Sequence, residues 1–382
     1  MATPVSIALR SFAKINLGLK IGPHRADGFH SLLTIYQTIA LHDIVHAEVV
    51  QGEGIEIRCN DPRVPCDATN TCWKVAERVL QLVSSGGLKS ARNTKKDGPS
   101  GTAKAVPFQN WDSSACTPEG MLHPQRKVII TIEKHLPVQG GMGAASSNAI
   151  ATLFGLERAL DIELAQPEKL RIAAEVGSDL PLFLIGGTVL GVDRGQEVSA
   201  LQDLPETPLV VVTPPVGVST PKAFAQWDAL IASGSSGDNA LTTNEHAVTM
   251  KERDQAANAW LSERLLSQGF IAKGPASGVP ATGGDRAETT LLDLVQTGIE
   301  NDFEQVVFPK HPELRKVKRV LERAGAFYAS LSGSGSAVYG LFPTSESARK
   351  AAEKLRKTGI PAQATRTLTR QQCWKKFLVS DF

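Results

Sequence analysis

A two-layer α+β fold divided into two domains is what the sequence predicts, and three observations predict it. Strand-like and helix-like stretches alternate in both halves of the chain. A strand pattern runs into the small-residue stretch "LPVQGGMGAASSNA" (Leu136–Ala149), and a helical pattern follows at once. At 382 residues the chain exceeds what a single core holds, so two domains are expected.

Taken in order, "SIALRSFAKINLGLKI" reads as a strand, "GPHRADGFH" as a polar turn, and Leu32 to Val50 as a second strand. "TCWKVAERVLQLV" carries Val75, Val79, Leu82 and Val83 at helical spacing, with Asp67, Thr69 or Asn70 available as its cap. Periodicity vanishes from about 84 to 126 in a Gly/Ser/Lys-rich stretch, expected to be a mobile insertion with no chemistry. "KVIITIEKHLP" is an alternating strand, and the helix after the glycines places Ala149, Leu153, Leu156 and Leu160 on one stripe. "PLVVVTPP" starts the second domain, and a second irregular stretch runs from about 232 to 289. The end of the chain reads helix ("HPELRKVKRVLERAG"), strand ("AFYASLSG"), glycine turn, strand ("SAVYGLF"), helix ("SESARKAAEKLRKTG"), strand. The expected domains are 1–203 and 204–366, with 367–382 returning to the first as a strand.

Composition narrows the function by exclusion. With 42% apolar residues, 21% charged residues and a net charge of +2, nothing points to nucleic acid or a membrane. Five scattered cysteines without a C-x-x-C pair argue against a disulfide framework and against a zinc site. The N-terminal residues lack a signal peptide's pattern and no window spans a bilayer, so a cytoplasmic protein is expected. "HDIVH" (His42–His46) resembles a zinc motif, but that motif needs a helix and this segment reads as a strand.

The glycine stretch carries the chemistry. A helix N-terminus presents unpaired N–H groups and the positive end of the helix dipole, and a loop without side chains lets phosphate oxygens reach them. Gly140, Gly141, Met142, Gly143, Ala144 and Ala145 would form that cradle, with Ser146, Ser147 and Asn148 adding polar groups. No lysine follows the glycines, so this is not a P-loop. Gly141, Gly143 and Ser146 nearly match a dinucleotide fingerprint, but "KHLPV" separates the strand from the first glycine. The pattern leaves open a helix start built of small residues merely for packing.

"SFAKINLGLKIGPHRADGFHSLLTIYQ", "LPVQGGMGAASSNA" and "LSGSGSAVYGLF" resemble the first, second and third motifs of the GHMP small-molecule kinases. The pairing of "AKINL" with "RADGFH", supported by "GSDLPLFLIGG" and "PPVGVSTPKAF", is most similar to the branch that acts on diphosphocytidyl-methylerythritol. The resemblance covers most of the chain apart from the two insertions. It implies a ribosomal-protein-S5-like N-terminal domain, a C-terminal domain of ferredoxin-like derivation, and a site in the cleft between them. It also implies ATP with Mg2+, phosphoryl transfer to a tertiary hydroxyl in the non-mevalonate isoprenoid route, and a monomer or weak homodimer. The family's catalytic lysine and aspartate match Lys14 and Asp179. Residues alone leave Asp179 as either a helix cap or a positioned base, while Lys14 and Asn16 share a strand face with Phe12. For the substrate the resemblance carries over Asn16, Phe29, His30, Thr220 and Phe224, and for adenosine it carries over Asn70 and Lys134. Magnesium finds no dedicated acidic cluster, with Ser147 as its one candidate contact. The chain departs from the family at Phe29, usually tyrosine, and at Gln139, Ala144 and Ala145, often glycine, which is expected to restrict phosphate approach. Competing expectations are a sister GHMP kinase acting on mevalonate, homoserine or a sugar, a nucleotide-binding protein without catalysis, and a dehydrogenase.

Overall fold

A computed structural model of the chain describes residues 6–25, 27–85, 126–235 and 300–379. Apart from their ends, both stretches expected as insertions, about 84–126 and 232–289, lie outside the described residues. Two sheets carry the fold. The first is built around a long antiparallel hairpin, β1 (Ser6–His24) and β2 (His30–Gln51). β2 offers its other edge first to β5 (Thr188–Val192) and then to β4 (Arg126–Glu133), with β3 (Gly54–Cys59) beyond β4 and β6 (Glu197–Ala200) beyond β5. The second sheet is antiparallel in the order β10 (Ala362–Arg366), β7 (Pro208–Val212), β9 (Val338–Leu341), β8 (Tyr328–Leu331).

Helices cover each sheet. α1 (Thr71–Ser84), α2 (Ala144–Ala159), α3 (Gln166–Val176) and the single turn α4 (Leu180–Phe183) share one core with the first sheet. Asn70, among the three candidate caps, is the one that caps α1, accepting from the Cys72 N–H at 2.8 Å. α2 approaches the hairpin closely because Gly155 lies at the contact, where a Cβ would come within 2.7 Å of the Ala47 Cβ and 2.9 Å of Leu9. On the second sheet pack α5 (Thr220–Ser235), α6 (Glu304–Lys310), α7 (Pro312–Arg323) and α8 (Ser345–Lys357).

A third apolar cluster joins the sheets. Ile15, Leu17, Leu33 and Ile35 from the hairpin meet Leu209, Val211, Tyr339 and Leu341. Register shifts in the hairpin, one of them between Asn16 and Gly18, interrupt the ladder where the second sheet arrives. The Asn16 and Leu17 carbonyls there accept the buried hydroxyls of Tyr339 and Tyr328, each at 2.7 Å. Burial, the first cause in each case, raises both phenol pKa values.

Two expectations need correction. The C-terminal stretch is not a strand: Arg370–Phe377 is a helix, α9. Thr369 and Gln372 form a reciprocal capping box at its start, and Phe377 packs into the core of the first sheet, so local capping overrides the strand reading. A further register shift lies between Phe12 and Lys14, so the face shared by Lys14 and Asn16 does not extend to Phe12, which packs with Leu368 and Cys373. "HDIVH" lies on β2 as expected, with His42 edge-on to Phe12 and His46 Nε2 2.6 Å from Glu133.

Candidate active site

β1 presents Lys14 with its side chain almost fully buried, and the loop before α4 presents Asp179, whose side chain is 37% exposed. Their charged atoms lie 3.5 Å apart. Asp179 occupies the N-cap position of α4 yet makes no side-chain cap hydrogen bond, so its carboxylate serves something other than the helix end. One oxygen faces Lys14 and the other accepts from the Tyr36 hydroxyl at 3.2 Å. Lys14 Nζ also donates to Asn16 Oδ1 at 2.8 Å and stands 5.4 Å from the centroid of the Tyr36 ring. Asn16 spends the rest of its amide on Thr34 Oγ1 at 2.8 Å, so this buried residue holds the ammonium in place.

Tyr36 was invisible as a functional residue in the sequence. It lies in a strand-like run, and only the fold brings it to a carboxylate 143 residues away. Space for the ring comes from two glycines: a Cβ at Gly191 would lie 2.5 Å from the ring, and one at Gly195 2.6 Å from the hydroxyl. Burial first, and the Asp179 charge second, push the phenol well above its ordinary pKa, so it remains a hydrogen-bond donor to the carboxylate.

The glycine loop answers to its protein neighbours as well as to any ligand. Gly141 has φ +73°, and a Cβ there would overlap the Ser332 carbonyl oxygen of the third motif. Gly143 has φ +67°, and a Cβ there would come within 2.9 Å of Phe183 and 3.1 Å of the Lys14 stem. Ser332 Oγ donates to the Gly141 carbonyl at 2.9 Å, and the Ala337 N–H donates to the Gly140 carbonyl at 3.1 Å. The Lys14 N–H closes the set on the Met142 carbonyl at 3.0 Å. All three motifs therefore converge on one point. Gly143 is the N-cap of α2 and supplies no side-chain cap, which leaves the first turn of N–H groups without a side-chain acceptor. Ala144 and Ala145 are the first residues of that helix and need no left-handed backbone, so the restriction expected from them does not arise. Gln139 does take the left-handed conformation, with φ 60°.

Asn148 and Lys134 are committed elsewhere. Both converge on Asp43, a fully buried carboxylate that accepts from Lys134 Nζ, the His135 N–H and the Leu136 N–H, each at 2.7 Å, and from Asn148 Nδ2 at 3.1 Å. Asn148 Oδ1 accepts from Ser11 at 2.5 Å. Asp43 thus ties the end of β4, the start of the glycine loop and α2 together. It is the aspartate of "HDIVH", and nothing in the sequence around it marks it as an organiser of the glycine loop. Asn70, besides capping α1, donates to the Pro65 carbonyl at 2.6 Å, so both ends of its amide are occupied. Ser147 is buried in the first turn of α2, beside the more open Ser146.

The remaining predicted residues gather at the turn end of the hairpin. Phe29 is 52% exposed, with the Arg194 guanidinium 4.9 Å from its centroid. The loop around it is pinned by ion pairs from Arg25 to Asp27 and Asp193. His30 stacks on Phe224 with centroids 5.1 Å apart and ring planes 4° from parallel. Thr220, at the start of α5, shares a 2.7 Å hydrogen bond with Ser334 of the third motif.

Among the described residues, no helix is long and apolar enough to cross a membrane. The family of GHMP kinases N terminal domains matches residues 115–187, and that of GHMP kinases C terminal matches residues 288–361. A 4-diphosphocytidyl-2-C-methyl-D-erythritol kinase from Moorella thermoacetica is 31% identical over 95% of this chain and 99% of its own length. One of the same name from Acaryochloris marina is 29% identical over 96% of each chain. A crystal structure of 4-(cytidine 5'-diphospho)-2C-methyl-D-erythritol kinase aligns over 94% of this chain and 99% of its own, with a TM-score of 0.59 at 23% identity. A homoserine kinase from Cytophaga hutchinsonii aligns almost as well, with a TM-score of 0.58 at 17% identity over 98% of each chain, so fold alone does not separate the sister kinases. Sequence does, and the chain belongs to the 4-diphosphocytidyl-2-C-methyl-D-erythritol kinase family of the GHMP kinases.

Proposed function

We infer that the protein is an ATP-dependent kinase that phosphorylates the 2-hydroxyl of 4-diphosphocytidyl-2-C-methyl-D-erythritol in the non-mevalonate isoprenoid route. The observation that carries this reading is the junction of Lys14 and Asp179 beside the uncapped start of α2, in a chain of this family. The first-turn N–H groups of α2 and the positive end of its dipole receive the polyphosphate, lined by Gly140 to Ser147. Asp179 orients the acceptor hydroxyl and takes its proton late, because a loose, metaphosphate-like transition state asks little activation of the alcohol. Lys14, held by Asn16, offsets charge on the transferring group. Tyr36 and Lys14 hold one carboxylate oxygen each, which fixes the plane in which Asp179 meets the hydroxyl.

Magnesium fits this site as an ion held chiefly by nucleotide oxygens. The nearby protein donors are hydroxyls, such as Ser147, and both Asp179 oxygens already have partners, which suits a cation that keeps waters and takes few protein ligands. When bound, the ion supplies neutralisation of the β- and γ-phosphates. At the other end, Phe29, His30 and Phe224 receive the cytidine group: rings give affinity for any base, and His30 reads the cytosine edge. Location in the cytoplasm and function as a monomer or weak homodimer complete the proposal.

Coupled ADP release with the diphosphocytidyl substrate tests it, on the wild type beside Asp179→Asn and Lys14→Ala. Turnover that collapses in both variants supports the reading. Wild-type ATP binding without ADP release leaves only a nucleotide-binding relative.

A further inference from the structure

The arrangement around His30 contains a conflict that a proton or a metal ion must resolve. His30 Nδ1 lies 3.2 Å from the Gly22 carbonyl, and Nε2 lies 3.0 Å from Asp228 Oδ1 on α5. A neutral imidazole that donates Nδ1–H to the carbonyl turns the lone pair of Nε2 toward a carboxylate oxygen. A third group faces the same spot. His24, paired with His30 across the hairpin, stands edge-on to it at 4.9 Å and has its own Nδ1 3.1 Å from the Arg25 carbonyl. One ligand atom from each of His24, His30 and Asp228 lies within 4.8 Å of the other two, and this is the one such cluster among the described residues.

We propose that His24, His30 and Asp228 form a binding site for a divalent transition metal of the zinc type, and that its occupancy competes with the cytidine end of the substrate. Two imidazoles and a carboxylate suit Zn2+ or Co2+, whereas magnesium selects all-oxygen shells. Ligands at about 2.0–2.1 Å in a tetrahedron lie about 3.3 Å apart. The His30–Asp228 separation already meets this within a few tenths of an ångström. His24 and Asp228 are exposed, which leaves their side chains room on the solvent side to adjust to the ion. A backbone carbonyl behind each imidazole is the usual second support of a metal-bound histidine. The fourth position stays open to water. Because His30 also stacks on Phe224, a metal on its Nε2 withdraws from the base the nitrogen that reads it. The competition, unlike the metal site itself, rests on the proposed assignment of this end to cytidine.

The test uses the full chain, freed of tags and metal, with Co2+ as a spectroscopic probe and Zn2+ as its competitor. Expected is one equivalent of Co2+ with visible d–d bands and no thiolate charge-transfer band, displaced by Zn2+. His24→Gln and Asp228→Asn are each expected to raise Kd at least tenfold. In the presence of excess Mg2+ and ATP, Zn2+ is expected to raise KM for the diphosphocytidyl substrate and to leave KM for ATP unchanged, with the effect lost in His24→Gln. Absence of saturable binding, binding indifferent to His24→Gln, or a charge-transfer band placing the metal on Cys59 or Cys66 would overturn the site. Binding that responds to the variants while KM stays fixed supports the metal site and overturns the competition, together with the assignment of His30 to the base.

Discussion

Replacing Asp43 by alanine should be among the most damaging single changes in the molecule, although Asp43 touches no substrate. The carboxylate is fully buried and accepts four hydrogen bonds. Its removal leaves the Lys134 ammonium, only 6% exposed, without a counter-charge, and leaves the His135 and Leu136 N–H groups without their acceptor. Breaking one side of a buried ion pair costs about 3–5 kcal/mol. That is a large part of the roughly 5–15 kcal/mol that separates a folded domain from its unfolded state. Urea unfolding followed by circular dichroism measures the loss. Removing both charges in Asp43→Asn with Lys134→Met should recover much of it, because the penalty comes mainly from the stranded ammonium. A loss below about 1 kcal/mol in Asp43→Ala would refute the view that this carboxylate organises the loop.

Tyr36→Phe removes the hydrogen bond to one Asp179 oxygen and leaves the ring in place, so kcat should fall about tenfold, equivalent to about 1.4 kcal/mol, with KM for ATP unchanged. An unchanged kcat would show that the hydroxyl does not position the carboxylate. Gly141→Ala sets a Cβ against the Ser332 carbonyl on a left-handed backbone, and should lower stability by more than about 1 kcal/mol and weaken ATP binding. Wild-type behaviour in both would show that the loop has room to spare. Burial pushes the thiol of Cys72 up to about 12 and that of Cys373 up to about 11, so at pH 8 a maleimide should label exposed Cys66 and spare both until the chain unfolds. Because these folded pKa values lie above the unfolded thiol value of about 8.5, their contribution to stability is intact below that pH and is lost as pH rises towards 11 and 12. A flat stability profile between pH 8 and 10 would contradict this.

Local pattern makes the long hairpin, α1, β4, the glycine junction with α2, β7 and the run from α7 to β10 legible, because each rests on periodicity or on small residues within a few positions. By contrast, β3, β5, β6, α3, α4, α5 and α6 are elements that the sequence reading leaves unassigned. Lys14, Asp179, Phe29, His30 and Phe224 come through motif resemblance; in the structure Lys14 meets Asp179, and Phe224, expected to share a base with Phe29, stacks on His30 while Phe29 meets Arg194. What escaped depends on contacts across the chain. Tyr36 reads as one more strand residue until the fold delivers Asp179 to it, and Asp43 reads as the middle of a decoy zinc motif until β4 and α2 arrive. The C-terminal helix escapes a reading that carries β10 onward as a strand, although its capping box, Thr369 with Gln372, is local. The small residues of the loop were read as an opening for phosphate. At Gly141 and Gly143, however, the closest neighbours are protein atoms, so the packing and the phosphate explanations hold at once.

The most direct test of the central claim compares kcat/KM for the diphosphocytidyl substrate, for the same sugar alcohol phosphate without its cytidine group, and for mevalonate and homoserine, all at saturating ATP and Mg2+. The account predicts efficient ADP release with the diphosphocytidyl substrate alone, because Phe29, His30 and Phe224 have nothing to hold in the others. Turnover of mevalonate or homoserine, or turnover indifferent to loss of the cytidine group, would contradict it.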